Sequence, residues 1–281
     1  MAEALKNPII GIIGGTGSMG RMFRDFFVEN GFKVLISSTK TVLTNIELAK
    51  RADVVIVAVP LSITLKVIKE IAPYVKKEAL LTDISAIKEE PIKAMLKSKA
   101  SVLGMHPVFG PQIKSFKNQT IVLCPGRGTK WFSWLKRNLK KGGFKIKIAT
   151  PREHDKMMAV IQGLTYFTSI SMGYTLRNLN VDIKKSLEFI SPNYKLKINA
   201  MGRILAQNPE VYADISFLNT FILNVVLEYQ KASKKILDSL IKKDKIKFTE
   251  IFKKSADYMG NYKYEALEET NYLIEKLMEK R

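Results

Sequence analysis

The chain has 281 residues, of which 46% are hydrophobic and 26% are charged, which is the composition of a soluble globular protein. This length suits two domains better than one small core. With one cysteine and two histidines, the chain cannot form an internal disulfide and has too few soft ligands for a Cys-based or His-cluster metal centre, so we expect no metal site.

The net charge of +20 is concentrated in residues 1–150, which carry 25 basic and 10 acidic side chains. Such an excess can attract anions or hold nucleic acid. The lysines are scattered and no basic run alternates with aromatic residues, so we expect no nucleic-acid partner. The start of the chain, MAEALKNP, has no signal-peptide pattern, and the apolar runs are of strand length. We therefore predict a cytoplasmic protein without a membrane partner.

The stretch Ile9–Gly20, IIGIIGGTGSMG, predicts a buried strand, a glycine turn and the start of a helix. Its last six residues follow the order G-x-G-x-x-G, in which backbone N–H groups can approach a pyrophosphate at a helix N-terminus. A second strand, Lys33–Ser37, follows at the distance typical of a dinucleotide-binding unit. We predict that six residues contact a dinucleotide, with a simple flexible turn as the alternative. They are Gly15, Thr16, Gly17, Ser18, Met19 and Gly20.

The end of the second strand distinguishes NAD from NADP, because a carboxylate there would bind both ribose hydroxyls and repel a 2′-phosphate. The chain has Ser37, Ser38, Thr39 and Lys40 at this place, and no acidic residue before Glu47. Hydroxyl groups and a lysine suit a phosphate, which favours NADP. The alternative is NAD bound without the usual acidic residue.

Strands and helices continue to alternate up to residue 150. The run ADVVIVAVP, Ala52–Pro60, predicts a strand buried on both faces of a parallel sheet, and we expect its end, Val59 and Pro60, beside the cofactor. We therefore predict an α/β domain with a Rossmann-type doubly wound parallel sheet in residues 1–150. Further strands are predicted at Leu80–Asp83, Val102–Met105, Thr120–Leu123 and Lys145–Ile148, and helices at Leu61–Val75 and Lys130–Lys140.

Residues 151–281 contain no convincing strand and predict an all-helical domain. The stretch Ile215–Leu227 is apolar over most of its circumference but contains asparagine and threonine, so it does not predict a membrane span. A helix that is apolar nearly all round is buried, and we expect this one in a homodimer interface. The helices are predicted at Glu153–Asn178, Val211–Lys243, Phe248–Met259 and Glu265–Lys280.

The two histidines are the candidate acid or base groups. His106, in the segment GMHPVFGP, follows a strand expected near the centre of the sheet, where α/β sheets bind ligands at the carboxyl ends of strands. A hydrogen bond that stabilises a turn is the alternative role. His154 opens the first long helix, where capping or hinge packing is at least as good an interpretation as catalysis.

These motifs resemble those of the prephenate dehydrogenases of tyrosine biosynthesis, over essentially the whole chain. The resemblance rests on the glycine loop, ADVVIVAVP, H-P-x-F-G-P at His106, E-H-D at 153–155 and the long segment MGRILAQNPEVYADI at 201–215. It is strongest to the dehydrogenase half of the bifunctional chorismate mutase enzymes. It implies a nucleotide-binding domain followed by a helical domain that forms a dimer.

The resemblance also implies the reaction, an oxidative decarboxylation of prephenate to 4-hydroxyphenylpyruvate with hydride transfer to NAD(P). His106 matches the catalytic histidine of the family, and Arg203 matches the arginine that binds a substrate carboxylate. Lys88 matches the lysine of a D-x-x-S-x-K segment. Tyr194 and Lys195 are also expected at the substrate, although Lys195 stands where the most similar enzymes have arginine.

Ala86 stands where the family has a serine that orients the catalytic histidine, so the sequence leaves open what orients His106. Two other functions stay open as well. One is arogenate dehydrogenase, which performs the same chemistry on a substrate with an amino group in place of the keto group. The other is a dinucleotide-sensing protein without turnover.

Overall fold

The computed structural model describes residues 7–279, and its first part is a seven-stranded sheet. The strands are β1 (Ile10–Ile13), β2 (Val34–Ser37), β3 (Val54–Val57), β4 (Leu80–Asp83), β5 (Ser101–Pro107), β6 (Thr120–Arg127) and β7 (Lys145–Ile148). Their order is β2-β1-β3-β4-β5-β6-β7, and all neighbours are parallel except β5 and β6. The α/β fold is confirmed, and the antiparallel pair is a feature that the sequence pattern did not predict.

Helices cover both faces of this sheet and bury its central strands. The helices of this part are α1 (Ser18–Glu29), α2 (Asn45–Arg51), α3 (Leu61–Ile71), α4 (Glu89–Met95) and α5 (Thr129–Lys141), with a 3₁₀ turn at Ala72–Tyr74. Aromatic residues of α1 and α5 pack on one face, and aliphatic residues of α2, α3 and α4 pack on the other. Strand β3 is therefore fully buried, as its unbroken apolar sequence predicts.

The chain after residue 150 contains only helices among the described residues, as predicted. They are α6 (Pro151–Met158), α7 (Thr165–Asn178), α8 (Ile183–Ser186), α9 (Pro192–Leu205), α10 (Pro209–Leu218), α11 (Ile222–Ile241), α12 (Lys245–Met259) and α13 (Tyr262–Met278), with a 3₁₀ turn at Leu187–Phe189. The last helix was predicted to reach Lys280, which lies outside the described residues.

The predicted single helix Glu153–Asn178 is wrong in its middle. Ala159–Leu164 adopts π-helical hydrogen bonding between α6 and α7. Gly163 lies in this segment, and a Cβ atom there would come within 2.5 Å of Ile222 Cγ1. The close approach of a neighbouring side chain to the backbone accompanies this local widening of the helix.

The predicted helix Val211–Lys243 is also two helices, α10 and α11, separated by residues 219–221. Asn219 explains the break, because its side-chain oxygen accepts a hydrogen bond from the Phe221 N–H (3.0 Å) and its amide donates to the Asp155 carbonyl (2.8 Å). Within residues 7–279 no single helix is long and apolar enough to cross a membrane, and α10 and α11 reach that length and apolarity only when they are taken together across their break.

The apolar stretch Ile215–Leu227 is only partly buried within a single chain, at Ile215, Asn219 and Ile222. Phe217 is 87% exposed and Leu223 is 66% exposed. The expected burial in a homodimer interface therefore stays a prediction.

The chain divides into two compact units at a place other than the predicted residue 150. The first unit runs to Ile161 and includes Glu210–Phe221, and the second comprises Gln162–Pro209 and the chain from Ile222 onward. Helix α6 belongs to the first unit because its buried side chains, among them His154 and Asp155, make their contacts there.

Candidate active site

The candidate site is built around His106, near the carboxyl end of β5. The side chain is 4% exposed and lies opposite Val122 in the antiparallel pair with β6. Strand β5 runs parallel to β4, and through it to β3, β1 and β2, so His106 lies beside the carboxyl ends of these strands, where α/β folds bind their ligands.

His106 is hydrogen-bonded to the second histidine of the chain. The distance from His106 Nδ1 to His154 Nε2 is 2.8 Å, and the distance from His154 Nδ1 to Asp155 Oδ1 is 2.7 Å. The His154 side chain is fully buried. The three side chains thus form one continuous row of hydrogen bonds that ends on a carboxylate.

The carboxylate of Asp155 is itself fixed at the N-terminus of α4. Its Oδ1 accepts a hydrogen bond from the Lys88 N–H (2.8 Å), and its Oδ2 accepts one from the Glu89 N–H (2.9 Å). Free N–H groups at a helix N-terminus stabilise a negative charge. Asp155 therefore acts as the cap of α4, although it belongs to α6.

Burial keeps both imidazoles uncharged at neutral pH. Desolvation lowers the pKa of His106 well below 6.5, and the nearby His154 and Lys88 lower it further. Desolvation also lowers the pKa of His154, and it outweighs the opposing effect of the hydrogen bond to Asp155.

The interpretation of His154 as a helix cap is wrong. Thr150 caps α6 instead, because its hydroxyl accepts a hydrogen bond from the Glu153 N–H (3.2 Å). The Glu153 carboxylate in turn accepts a hydrogen bond from the Thr150 N–H (3.3 Å), which completes a capping box. Sequence reasoning missed the contact of His154 with His106, for which E-H-D was the only signal.

The side chain of Lys88, predicted to contact substrate, is turned into the core of the first unit. Its side chain is fully buried, and its Nζ donates to Asp83 Oδ2 (2.5 Å) and to the Met105 carbonyl (3.0 Å). The ammonium group is satisfied inside the first unit. The structure therefore favours a structural role for Lys88 over the predicted contact with substrate.

Ser85 does not take the place of the serine that Ala86 replaces. Its hydroxyl contacts Asp83 Oδ2 and donates to the Ile87 carbonyl (2.9 Å). Its hydroxyl is therefore engaged by these two groups rather than by His106.

The glycine loop is a tight turn that leads into the N-terminus of α1. Gly14 has a φ of +84°, and both Gly14 and Gly15 donate their N–H groups to the Ser37 carbonyl (2.7 and 3.2 Å). A Cβ atom on Gly20 would lie 2.2 Å from the Gly14 oxygen, so only glycine fits there. Helix α1 is capped by Gly17 and has no acidic side chain in its first turn. These features suit a pyrophosphate.

The other residues of the loop have varied surroundings. Ser18 begins α1 and is exposed. Met19 is half-buried against the apolar core, and the Thr16 carbonyl accepts a hydrogen bond from Arg21 Nη1 (2.6 Å). Of these three, Ser18 presents its side chain to solvent at the helix N-terminus.

In the loop after β2, the first side chain points into the protein and the later ones point to solvent. Ser37 is fully buried and its hydroxyl donates to Asn45 Oδ1 (2.9 Å), so its side chain is turned inward and its contact with a cofactor stays a prediction. The Ser38 hydroxyl accepts from the Lys40 N–H (3.1 Å), and Thr39 and Lys40 are exposed. The exposed hydroxyls and ammonium are the groups of this loop that a ligand can reach.

The two residues predicted at the end of β3 have structural contacts. Val59 packs against the aliphatic core, and its Cγ1 would be 3.1 Å from a Cβ atom on Gly14. The Pro60 carbonyl accepts the Thr64 hydroxyl (3.0 Å) at the start of α3. The nearness of Val59 to the glycine loop is consistent with a place beside a cofactor.

The remaining predicted substrate residues all lie on α9 in the second unit. Ser191 caps this helix by accepting from the Tyr194 N–H (3.3 Å), and the Tyr194 hydroxyl is 2.9 Å from Ser186 Oγ. Lys195 is half-buried and Arg203 is exposed. Their contacts with a substrate stay predictions.

Two family models match the chain. The nucleotide-binding domain of prephenate dehydrogenase matches residues 34–148, and the dimerization domain of prephenate dehydrogenase matches residues 150–254. The structure is similar to that of prephenate dehydrogenase from A. aeolicus in complex with hydroxyphenyl propionate and NAD+, with a TM-score of 0.73 and 18% identity over 91% of this chain and 98% of that one. At this identity, the likeness concerns the fold.

Curated relatives resemble the chain over nearly its whole length. A probable arogenate/prephenate dehydrogenase of Methanocaldococcus jannaschii is 40% identical, over 91% of this chain and 62% of the relative. The T-protein of Haemophilus influenzae is 32% identical, over 94% of this chain and 71% of the relative. The chain thus spans between about three-fifths and three-quarters of the length of these relatives. Together with the two domain matches, this shows that the chain belongs to the prephenate dehydrogenase family.

Proposed function

We propose that the protein catalyses the NAD(P)-dependent oxidative decarboxylation of prephenate to 4-hydroxyphenylpyruvate and CO₂. The observation that carries the proposal is His106, a buried imidazole that stays uncharged at neutral pH and is held by His154 at the carboxyl end of β5. It is the kind of group that an alcohol oxidation needs as a base.

The role of His106 follows from the proton balance of the reaction. When hydride leaves the carbon that bears the ring hydroxyl, the hydroxyl must lose its proton as its oxygen becomes a carbonyl. A neutral imidazole accepts this proton. Loss of CO₂ then makes the ring aromatic and leaves a phenolate, to which the imidazolium returns the proton. His106 is thus unchanged at the end of the cycle.

A bound nicotinamide dinucleotide supplies the hydride acceptor. The close contacts at Gly15 and Gly20 would keep the loop backbone free of side chains, and the N-terminus of α1 would face the pyrophosphate. We favour NADP because exposed Thr39 and Lys40 follow β2 in place of a carboxylate. The A. aeolicus enzyme, which is similar in fold, was solved with NAD+.

Arg203 is the residue proposed to bind a substrate carboxylate, since a guanidinium fork matches that group and the side chain is exposed on α9. We expect Arg203→Gln to raise the KM for prephenate by the equivalent of about 1.5 to 3 kcal/mol, with cofactor affinity nearly unchanged. Steady-state kinetics with each substrate varied in turn measure both values. Equal weakening of cofactor and substrate binding would argue against this role.

Arogenate is the second candidate substrate, and the relative from M. jannaschii carries both names. The deciding experiment follows reduced nicotinamide by absorbance after the protein is mixed with NADP or NAD and with prephenate or arogenate. Turnover of prephenate with either cofactor supports the proposal, and turnover of arogenate alone supports the second candidate. Dinucleotide binding without turnover of either substrate would favour a sensing protein instead.

A homodimer is also part of the proposal. It is supported by the match of residues 150–254 to a dimerization domain and by apolar side chains that a single chain leaves exposed. These include Phe217, Leu223, Leu227, Leu237 and Ile241. Sedimentation at micromolar concentration should give twice the mass of the chain, and a monomer would contradict this part.

A further inference from the structure

The row of hydrogen bonds from Asp155 to His106 allows only one arrangement of protons. The Asp155 carboxylate already accepts hydrogen bonds from the Lys88 and Glu89 N–H groups. An ionised carboxylate has no proton to donate, so it can only accept hydrogen bonds. The bond between His154 Nδ1 and Asp155 Oδ1 therefore carries its proton on the His154 nitrogen.

The position of the proton on His154 determines which ring donates in the hydrogen bond between the two histidines. A neutral imidazole has one N–H group, and its other nitrogen is an acceptor. With the proton on His154 Nδ1, its Nε2 is the acceptor, so the proton of the 2.8 Å bond between the rings lies on His106 Nδ1. The lone pair of His106 is then on Nε2, the nitrogen that faces away from His154.

We propose that His154 and Asp155 are positioning residues that hold His106 in the Nδ1–H tautomer and leave its Nε2 as the base. The catalytic consequence rests on the proposed function, whereas the tautomer itself does not. Neither residue touches the reacting atoms. Their effect on turnover passes through His106, as in other sites where a carboxylate sets the tautomer of a catalytic histidine.

The surroundings of Asp155 explain why this arrangement is stable. Its carboxylate caps α4, and its backbone carbonyl accepts the Asn219 side chain (2.8 Å). Both ends of the residue are therefore fixed within the first unit. Turning the ring of His154 would break its hydrogen bonds to both His106 and Asp155.

The tautomer can be measured directly because the chain has only two histidines. Two-bond ¹H–¹⁵N correlation spectra of the protein labelled on its imidazole nitrogens will give two sets of signals, and the His106→Asn variant assigns them. We expect both rings as Nδ1–H tautomers at pH 7.5. An Nε2–H signal for His106 in the wild type would overturn the proposal.

Two substitutions of His154 separate positioning from simple packing. His154→Phe keeps an aromatic ring but removes the acceptor for His106, and should lower kcat roughly 10²- to 10⁴-fold with little change in the KM for the dinucleotide. His154→Gln keeps an acceptor for His106 and a donor for Asp155, and should retain activity within about tenfold of wild type. A His154→Phe variant with wild-type kcat would overturn the proposal, as would equal losses in the two variants at matched thermal stability.

A cavity beside His154 makes a chemical rescue possible. It has a volume of about 490 Å³ and is lined by His154 together with Val108, Val122, Ala149 and Met158, among others. Imidazole added to the His154→Ala variant can enter it and accept from His106 Nδ1. We expect kcat to rise at least tenfold in a saturable way, and no rise in the His106→Asn variant. Rescue of both variants alike would contradict a role through His106.

The two proposals fail in different ways. If no substrate is turned over by the wild type but both histidines show the Nδ1–H form, the proposed reaction fails and the tautomer assignment holds. If turnover is normal but His106 carries its proton on Nε2, the positioning role of His154 and Asp155 fails alone.

Discussion

Burial sets the charge of His106, and this gives the activity a definite dependence on pH. The pKa of His106 lies well below 6.5 because the ring is desolvated and faces His154 and Lys88. A base must be unprotonated, so kcat should stay constant at neutral pH and fall on acidification with an apparent pKa below 6.5. His106→Asn should lower kcat roughly 10²- to 10⁴-fold and abolish this acid limb.

The matching controls are the dissociation constant for NADP and the melting temperature, which His106→Asn should leave nearly unchanged. An acid limb that persists in the variant would assign the titration to another group. An apparent pKa above 7 in the wild type would contradict the buried environment of His106.

Lys88 and Asp83 form an ion pair with both side chains fully buried. Removing one partner leaves a buried charge unpaired, so Lys88→Met should lower the free energy of unfolding by about 3 to 5 kcal/mol. Urea denaturation measures this change. The double variant Asp83→Asn/Lys88→Met should recover part of the loss because it also removes the stranded carboxylate.

The surface pair of Lys76 and Asp53 provides the control for this prediction, since both side chains are more than one-third exposed. Lys76→Met should cost at most about 1 kcal/mol. If Lys88→Met raised the KM for substrate without any loss of stability, the original prediction of a substrate contact would be restored.

Among single residues, the sequence predicted His106 but not its partner. A histidine after a central strand is a local signal that a motif can capture. The contact with His154 joins residues 48 positions apart, and it depends on how α6 packs against the sheet. Lys88 is a second example, because the sequence of the motif does not show whether the ammonium group is exposed to solvent or paired with a buried aspartate.

Among the elements, the loop after β2 determines the choice of cofactor. Ser38→Asp combined with Lys40→Ala places a carboxylate where the ribose hydroxyls are expected and removes an exposed positive charge. We expect the ratio of kcat/KM for NADP to that for NAD to fall at least tenfold, equivalent to about 1.4 kcal/mol. Steady-state kinetics with both cofactors measure the ratio.

Lys33→Ala is the control for this exchange, because Lys33 is exposed just before β2, at the opposite end of the strand. It should leave the ratio unchanged. A wild type that prefers NAD tenfold would contradict a role of this loop in binding a 2′-phosphate.

The bounds of the strands were predicted better than the breaks within the helices. The strands β4 and β7 have the predicted bounds, because a short apolar run and a short alternating run are both local signals of a strand. The π segment Ala159–Leu164 and the break at Asn219 keep the apolar period of a helix on both sides. They arise from tertiary contacts, which hydrophobic periodicity does not encode.

At the scale of the whole molecule, the two buried histidines connect stability with pH. Both have pKa values lowered in the folded state, so the unfolded chain binds more protons as the pH falls below about 6.5. Their contribution to stability is complete above that pH and is lost on acidification. Each histidine can add a slope of up to about 1.4 kcal/mol per pH unit.

Urea unfolding between pH 7.5 and 5 measures this slope in the wild type and in the double variant His106→Asn/His154→Asn. The carboxylates titrate in both proteins, so the difference between the two slopes reports the histidines. We expect the wild type to lose stability more steeply. Parallel slopes would mean that the histidines are protonated equally in the folded and unfolded chains.

Alkylation of the single cysteine can measure local opening of the protein without any substitution. Cys124 lies within β6, fully buried, as its apolar neighbours predict, and burial raises the pKa of its thiol to about 12. Only the thiolate reacts with alkylating reagents. At neutral pH, Cys124 is therefore labelled only after a local opening exposes β6 to solvent. The labelling rate of the native protein therefore measures how often the sheet opens. A bound dinucleotide that stabilises the first unit should lower this rate.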